Sequence, residues 1–267
     1  MKLGIIGCGK MATALVQGAV RAGLVKPTDV TGHSPTAKSR DAFSAATGAA
    51  TVASATEVVV ASEVILLATK PHDIVKVMEA AAKDANGAPR LIISVAAGVT
   101  LAALEAAAPA NFRVIRSMPN TPSVVGQGAA AYCLGARAGA EDAELARNFF
   151  SSVGLALEVP EKLMDAVVGV SGSGPAYIYL VIEAMADGGV RGGIPRADAL
   201  RLAAQTVAGA AAMVLETGEH PAVLKDKVTS PGGTTIAALA TLERHGVRSA
   251  FIEAVDAALQ RSVELGK

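Results

Sequence analysis

The sequence predicts an α/β fold in two parts, an N-terminal doubly wound sheet and a C-terminal all-helical domain. Three observations predict it. The 267 residues are 51% hydrophobic and 18% charged, too apolar and too lightly charged for a disordered chain and enough for two cores. The first half alternates short β-like runs with helical stretches, the pattern of βαβ units and a parallel sheet. After Pro160 no strand-like run appears, and Ala/Leu/Val-rich stretches separated by Gly and Pro follow. The expected domains are therefore 1–160 and 161–267.

The expected strands are Lys2–Ile6, Asp29–His33, Ala49–Val52, Val64–Ala68, Arg90–Ser94, Arg113–Met118, Ala129–Leu134 and Leu155–Val159, with Ala-rich helices or turns between them. Runs such as Val64-Ile65-Leu66-Leu67-Ala68 are apolar throughout, as strands covered by helices on both faces should be. In the second half, Ala166 to Ile182 carries no charge and approaches the length of a membrane span. Ser171-Gly172-Ser173-Gly174-Pro175 interrupts it, which favours a buried soluble helix beginning near Pro175. A further helix is expected from Pro195 to about Thr217, stopped by Gly218. It has so little polar face that both sides should be covered, and a second copy of the domain would supply the cover as an interleaved dimer.

Composition excludes several function classes. Twenty-four Lys and Arg balance twenty-four Asp and Glu, so no field draws the chain to nucleic acid or to an anionic membrane. Aromatics are 3% with no Trp, which argues against base-stacking platforms. Alanine is about a fifth of the chain, a level that suits closely packed helices. Cys8 and Cys133 have no metal-ligand spacing around them, and His72, His220 and His245 have none either, so no metal is expected. Two cysteines and an N-terminus broken by glycines fit a reducing, cytoplasmic setting.

Leu3-Gly4-Ile5-Ile6-Gly7-Cys8-Gly9-Lys10-Met11-Ala12 reads as strand, tight turn and helix with a G-x-G-x-x-A spacing. Gly7 permits the turn, Gly9 lets backbone approach a pyrophosphate, and Ala12 allows close helix packing. Glycine needed only for the turn is the plainer alternative, but the position after the first strand of a βαβ series favours a Rossmann-type dinucleotide site. The second strand ends in His33-Ser34-Pro35 with no acid to hold a ribose 2′-hydroxyl, and Lys38 and Arg40 follow. That pattern suits a 2′-phosphate and favours NADPH, with NADH as the alternative. Three later loops lie beyond strand ends, where ligands bind such sheets: Ala68-Thr69-Lys70-Pro71-His72, Ser94-Val95-Ala96-Ala97-Gly98 and Met118-Pro119-Asn120-Thr121-Pro122. Ordinary turns use the same residues.

In the helical half, Val228-Thr229-Ser230-Pro231-Gly232-Gly233-Thr234-Thr235-Ile236 leads two glycines into a helix. Exposed N–H groups of Gly232, Gly233 and Thr234 with the hydroxyls of Ser230, Thr234 and Thr235 would form a carboxylate or phosphate site. A simple Ser/Thr cap would account for one hydroxyl, not three.

The segments G-C-G-K-M-A, A-T-K-P-H, S-V-A-A-G-V, M-P-N-T-P, S-G-S-G-P-A-Y, A-D-G-G-V and V-T-S-P-G-G-T-T-I-A-A-L, in this order, make the chain resemble pyrroline-5-carboxylate reductases over essentially its full length. The resemblance implies NAD(P)H-dependent reduction of L-1-pyrroline-5-carboxylate to L-proline, the last step of proline biosynthesis, in an interleaved dimer that commonly assembles into a ring of five dimers. It places the pyrophosphate loop at Ile6, Gly7, Cys8, Gly9, Lys10 and Met11 and the 2′-phosphate contact at Ser34. The nicotinamide-side loops fall at Ala68, Thr69, Lys70 and Pro71 and at Val95, Ala96 and Ala97. The substrate carboxylate falls at Ser230, Gly232, Gly233 and Thr234, and Thr235 takes the place of the threonine that faces the ring nitrogen. Two departures touch the cofactor end: His33 stands where the family often has Arg, and an Asn common near the adenosine is replaced around Ala55. A β-hydroxyacid dehydrogenase would also join such domains but would use a lysine on the first interdomain helix, and Gly169 to Ile182 contains none. A non-catalytic NADPH-sensing protein would have no need of the intact S-P-G-G-T-T segment.

Overall fold

The structure, a computed structural model, describes residues 1–82 and 87–266. Eight strands, β1 (Leu3–Ile6), β2 (Val30–His33), β3 (Ala50–Thr51), β4 (Val64–Leu67), β5 (Leu91–Ser94), β6 (Arg113–Met118), β7 (Gly128–Leu134) and β8 (Gly154–Glu158), form one sheet in the order 3-2-1-4-5-6-7-8. Helices α1 (Lys10–Arg21), α2 (Ala37–Thr47), α3 (Ala55–Ala61), α4 (Pro71–Ala82), α5 (Leu101–Ala107) and α6 (Ala140–Ser151) connect them. The order reverses beside β1, so the loops after β1 and β4 flank the switch point where such sheets bind ligands.

Alternation along each strand explains the two layers. Leu3 and Ile5, Val64 and Leu66, Leu91 and Ile93, and Ile115 pack with Leu15 and Val16 of α1 and with Phe149 and Phe150 of α6. Ile6, Ile65 and Leu67, Ile92, and Val114 pack on the opposite face with Val58 of α3, Ile74 and Met78 of α4, and Leu104 of α5. Each such side chain contributes about 1.5–3 kcal/mol when fully buried. Gly4 keeps β1 and α3 close, because a Cβ there would lie 2.6 Å from a Val58 methyl.

One expectation is corrected. The sheet is not wholly parallel, since β7 runs antiparallel to β6, with Met118 opposite Ala131 and Ile115 opposite Leu134. The connection explains it: Pro119 to Gln127 holds only a 3₁₀ turn over Thr121–Val125, too short for the crossover a parallel pair requires.

Beyond β8 the described chain is helical: α7 (Met164–Val167), a π-type turn over Val168–Gly172, α8 (Gly174–Arg191), α9 (Arg196–Thr217), α10 (Pro221–Lys227), α11 (Thr234–Arg244) and α12 (Val247–Leu265). Residues 1–173 with 257–267 make one compact unit and 174–256 a second. In the second unit α8 and α9 meet through Ala186, Ala199 and Ala203, and a Cβ on Gly189 would come within 3.2 Å of the Ala199 methyl. Gly218 ends α9 with φ 66°, as its position after Thr217 leads one to expect. Pro195 stands one residue before α9 rather than opening it. The expectation that the helix near Pro175 is buried does not hold within one chain. Only Gly174 and Ala186 of α8 are buried, and Tyr179 and Leu180 are 60% and 66% exposed. α9 shows the same, with Leu202 and Leu215 largely exposed.

Candidate active site

The first turn of the first unit is built by two glycines with different physical reasons. Gly7 has φ 104°, and a Cβ on it would lie 2.5 Å from the Ala68 carbonyl carbon and oxygen, so only glycine fits. Its N–H donates to the His33 carbonyl at 2.8 Å, tying the ends of β1 and β2 together. Gly9 has φ −90° and is the N-cap of α1, and a Cβ on it would meet nothing within 4 Å. Neither backbone conformation nor packing asks for glycine there. No side chain caps α1, so the N–H groups of Lys10, Met11 and Ala12 stand at the helix start without intrahelical partners. Together these make an anion cradle with space left in front of Gly9.

Cys8 points inward from this loop. Burial pushes its thiol up to about 11, an effect that nearby Arg40 only partly offsets, so Cys8 is a neutral packing group. Ser34, at the end of β2, is 9% exposed, and its carbonyl accepts from the Arg40 guanidinium at 2.7 Å. His33 turns its Nδ1 toward the Val52 carbonyl at 3.2 Å. Arg40 is thus the cation held against the β2 end. An open groove of about 450 Å³ runs alongside, lined in part by Gly9, Lys10, Thr13, Lys38 and Ser39.

Past β4, Ala68 N–H donates to the Ile6 carbonyl at 2.8 Å, and the Thr69 hydroxyl is buried without a hydrogen-bond partner. An unpartnered hydroxyl beside an open glycine cradle is what a dinucleotide's polar atoms would satisfy. Lys70 is exposed, its carbonyl accepts from the Asp73 N–H, and Pro71 opens α4. Past β5, Val95 N–H donates to the Leu67 carbonyl at 3.0 Å and Ala96 N–H to the Ser94 hydroxyl at 3.4 Å, while Ala97 is exposed. The residues therefore fit a dinucleotide across the switch point.

The third loop serves differently from the other two. Asn120 is buried, accepts the Ala129 N–H at 2.9 Å and donates to the Ser171 carbonyl at 3.0 Å, so it braces the 118–122 loop against the π-type turn. The two-sided contact of an amide lies far apart in sequence and gives no local signal.

In the second unit, Ser230-Pro231-Gly232-Gly233 forms a turn with Gly232 at φ 66°, and the Gly233 N–H donates to the Ser230 carbonyl at 3.1 Å. This corrects one expectation, since the Gly233 N–H is engaged rather than free. A Cβ on Gly233 would fall 2.3 Å from the Ser230 hydroxyl oxygen, so glycine there lets that hydroxyl fold over the turn. Gly233 is also the N-cap of α11, with no side chain capping it. The hydroxyls of Ser230, Thr234 and Thr235 are therefore not used as the helix cap. The N–H groups of Thr234, Thr235 and Ile236 lack intrahelical partners, and Ser230 and Thr234 are exposed with Thr235 half-buried.

Comparison with known proteins gives this arrangement a family. Residues 161–265 match the family model for pyrroline-5-carboxylate reductase dimerisation, and residues 2–98 match that for NADP oxidoreductase, coenzyme F420-dependent. The pyrroline-5-carboxylate reductase of Methanosarcina acetivorans is 47% identical over 100% of this chain and 98% of its own, and that of Escherichia coli is 43% identical over the same shares. Among solved structures, a pyrroline-5-carboxylate reductase from Coxiella burnetii has a TM-score of 0.93 at 35% identity, covering 100% of this chain and 98% of that one. The Plasmodium falciparum pyrroline carboxylate reductase, solved with NADP bound, has a TM-score of 0.89 at 31% identity over the same shares. The chain therefore belongs to the pyrroline-5-carboxylate reductase family.

Proposed function

We propose that this chain is an oxidoreductase acting on a CH–NH bond, reducing L-1-pyrroline-5-carboxylate to L-proline with NAD(P)H in the last step of proline biosynthesis. The observation that carries the reading is family membership across the whole length of the chain. Domain 1–160 binds the dinucleotide, and domain 161–267 holds the substrate and pairs with a second copy.

The loop Ile6, Gly7, Cys8, Gly9, Lys10 and Met11 would hold the pyrophosphate through backbone N–H groups. Ser34, with Arg40 against it, would take the adenosine end, and a cation there with no acid among residues 30–35 favours NADPH over NADH. Ala68, Thr69, Lys70 and Pro71, with Val95, Ala96 and Ala97, would face the nicotinamide, which supplies a hydride when bound.

Ser230, Gly232, Gly233 and Thr234 would receive the substrate carboxylate at the start of α11, through the hydroxyls and the N–H groups left unpaired there, with Gly233 serving as the N-cap that keeps the approach open. Thr235, next along, orients the ring nitrogen and helps to protonate it. A protonated cyclic imine is already electrophilic, so the segment works without a carboxylate or imidazole. The chain's contribution is placement of the two reactants.

Self-association as an interleaved dimer is supported by the apolar faces of α8 and α9 that one chain leaves uncovered, and we propose that such dimers assemble further into a decamer. Those same helices are long and apolar by composition, and a partner helix accounts for them without a membrane. The proposed location is the cytoplasm. The test is oxidation of NADPH on adding pyrroline-5-carboxylate, with a 3-hydroxy acid and NADP as the control. No oxidation with the imine, or turnover only with the hydroxy acid, overturns the reading. The ratio of kcat/KM for NADPH and NADH decides the cofactor.

A further inference from the structure

Residues 257–266, the last turns of α12, cluster with the sheet and not with the helical unit to which the start of α12 belongs. Two sets of contacts hold them there. Arg116 projects from β6 with its side chain only 6% exposed and pairs with Glu161 at 3.0 Å and Asp165 at 3.9 Å. Each carboxylate oxygen also accepts a hydrogen bond from another part of the unit. Glu161 Oε1 takes the Leu101 N–H at 2.6 Å, and Asp165 Oδ1 takes the Ser262 hydroxyl at 2.6 Å. Ser262 is itself buried.

The second set is backbone against backbone. Gly98 has φ 77°, and a Cβ on it would lie 3.6 Å from the carbonyl carbon and oxygen of Leu265. A Cβ on Gly266 would lie 3.1 Å from the Gly98 carbonyl oxygen. Gly98 closes the loop that begins at Val95. On its strand side that loop is held by the Val95 and Ala96 N–H groups, but Val95, Ala96 and Ala97 carry no polar side chain with which to fix the far side. The end of α12 supplies a wall there.

We infer that the last turn of α12 is a positioning element for the Val95–Gly98 loop. Ser262, held by Asp165 and Arg116, sets Leu265 and Gly266 behind Gly98. The inference rests on the reading that Val95, Ala96 and Ala97 face the nicotinamide. The buried Arg116 guanidinium holds the two carboxylates because leaving that cation unpaired is costly, so the arrangement is stiff where the reacting carbon must be placed.

The test uses the full chain, the variant Ser262→Ala and a chain stopped after Glu264. Measurements are the melting temperature, kcat with NADPH and pyrroline-5-carboxylate, and inhibition by 2′,5′-ADP, which has the adenosine 2′-phosphate end and no nicotinamide. Both variants should stay folded at assay temperature with inhibition by 2′,5′-ADP within about 2-fold of wild type, while kcat falls about 10-fold, the scale of a small misplacement of reactants. An unchanged kcat, or a matched loss of 2′,5′-ADP binding and kcat, overturns the inference and leaves the proposed function standing. A wild-type chain that oxidises no NADPH overturns both.

Discussion

Gly7 and Ala68 approach so closely that a methyl group on Gly7 would sit 2.5 Å from the Ala68 carbonyl, whereas Gly9, two residues on, faces open space. The two glycines of one motif therefore separate fold from ligand. Gly7→Ala should cost about 2 kcal/mol or more of stability, through a positive φ and a backbone collision. Gly9→Val should cost about 1 kcal/mol or less, the difference between two N-cap residues. It should nonetheless raise the Kd for NADPH by about 10-fold or more, the worth of a hydrogen bond to a charged group. Urea unfolding and cofactor titration of both variants check the contrast; normal NADPH affinity in Gly9→Val would remove the loop from the cofactor site.

Thr235 does not cap α11, because the cap is Gly233. Thr235→Ala should leave the melting temperature almost unchanged. It should lower kcat/KM by about 10- to 150-fold, as expected for losing one hydrogen bond to a charged ring nitrogen. Steady-state kinetics settle it, and unchanged kcat/KM excludes Thr235 from the mechanism.

Stability should fall at alkaline pH. Burial raises the Cys8 thiol to about 11, and burial with the Glu161 charge raises Cys133 to about 12, against an ordinary value of 9.0. The folded state thus keeps both protons where the unfolded chain releases them. Their contribution is whole below pH 9 and is lost as pH rises toward 11 and 12, at up to about 1.4 kcal/mol per pH unit for each thiol. Urea midpoints from pH 8 to 10.5 measure it, and the Cys8→Ala variant should show a shallower slope. Equal slopes would contradict the assignment.

The uncovered faces of α8 and α9 predict a particle of at least twice the 26.7 kDa chain mass. Leu202→Glu, at a residue 58% exposed in one chain, should shift the particle toward monomer with the sheet retained. Sedimentation at micromolar concentration reads both, and a monomeric wild type would refute the interleaved arrangement.

How much of this was legible in the residues follows from where the information lies. Strands β1, β4 and β5 are buried at every position because helices cover both faces, and their largely apolar runs stand out within a residue or two of their ends. The reversal at β7 is not encoded in alternation, which is the same for either direction. Its only sign is the short, proline-containing stretch from Met118 to Gly128. Gly7, Gly218 and Gly232 announce themselves because backbone geometry and residue type are coupled, whereas Gly9 is legible only from its place in the G-x-G-x-x-A spacing. The Arg116, Asp165 and Ser262 chain could not be seen, since its members are 49 and 97 residues apart and meet only in the fold. Arg116, set between Ile115 and Ser117 in the buried middle of β6, is the hint the residues offer.

Because residues 257–266 finish a unit whose last strand ends at Glu158, about a hundred residues of helical chain must be synthesised before the sheet receives its final contacts. On the ribosome, the sheet would thus wait with Asp165 lacking its hydroxyl partner and Gly98 lacking its wall. Arrival of Ser262 would close it. A nascent chain stalled at residue 256 should therefore be cleaved by protease in the 95–101 region faster than the released protein. Docking of residues 257–266 is in this way the last of the described contacts that the sheet receives.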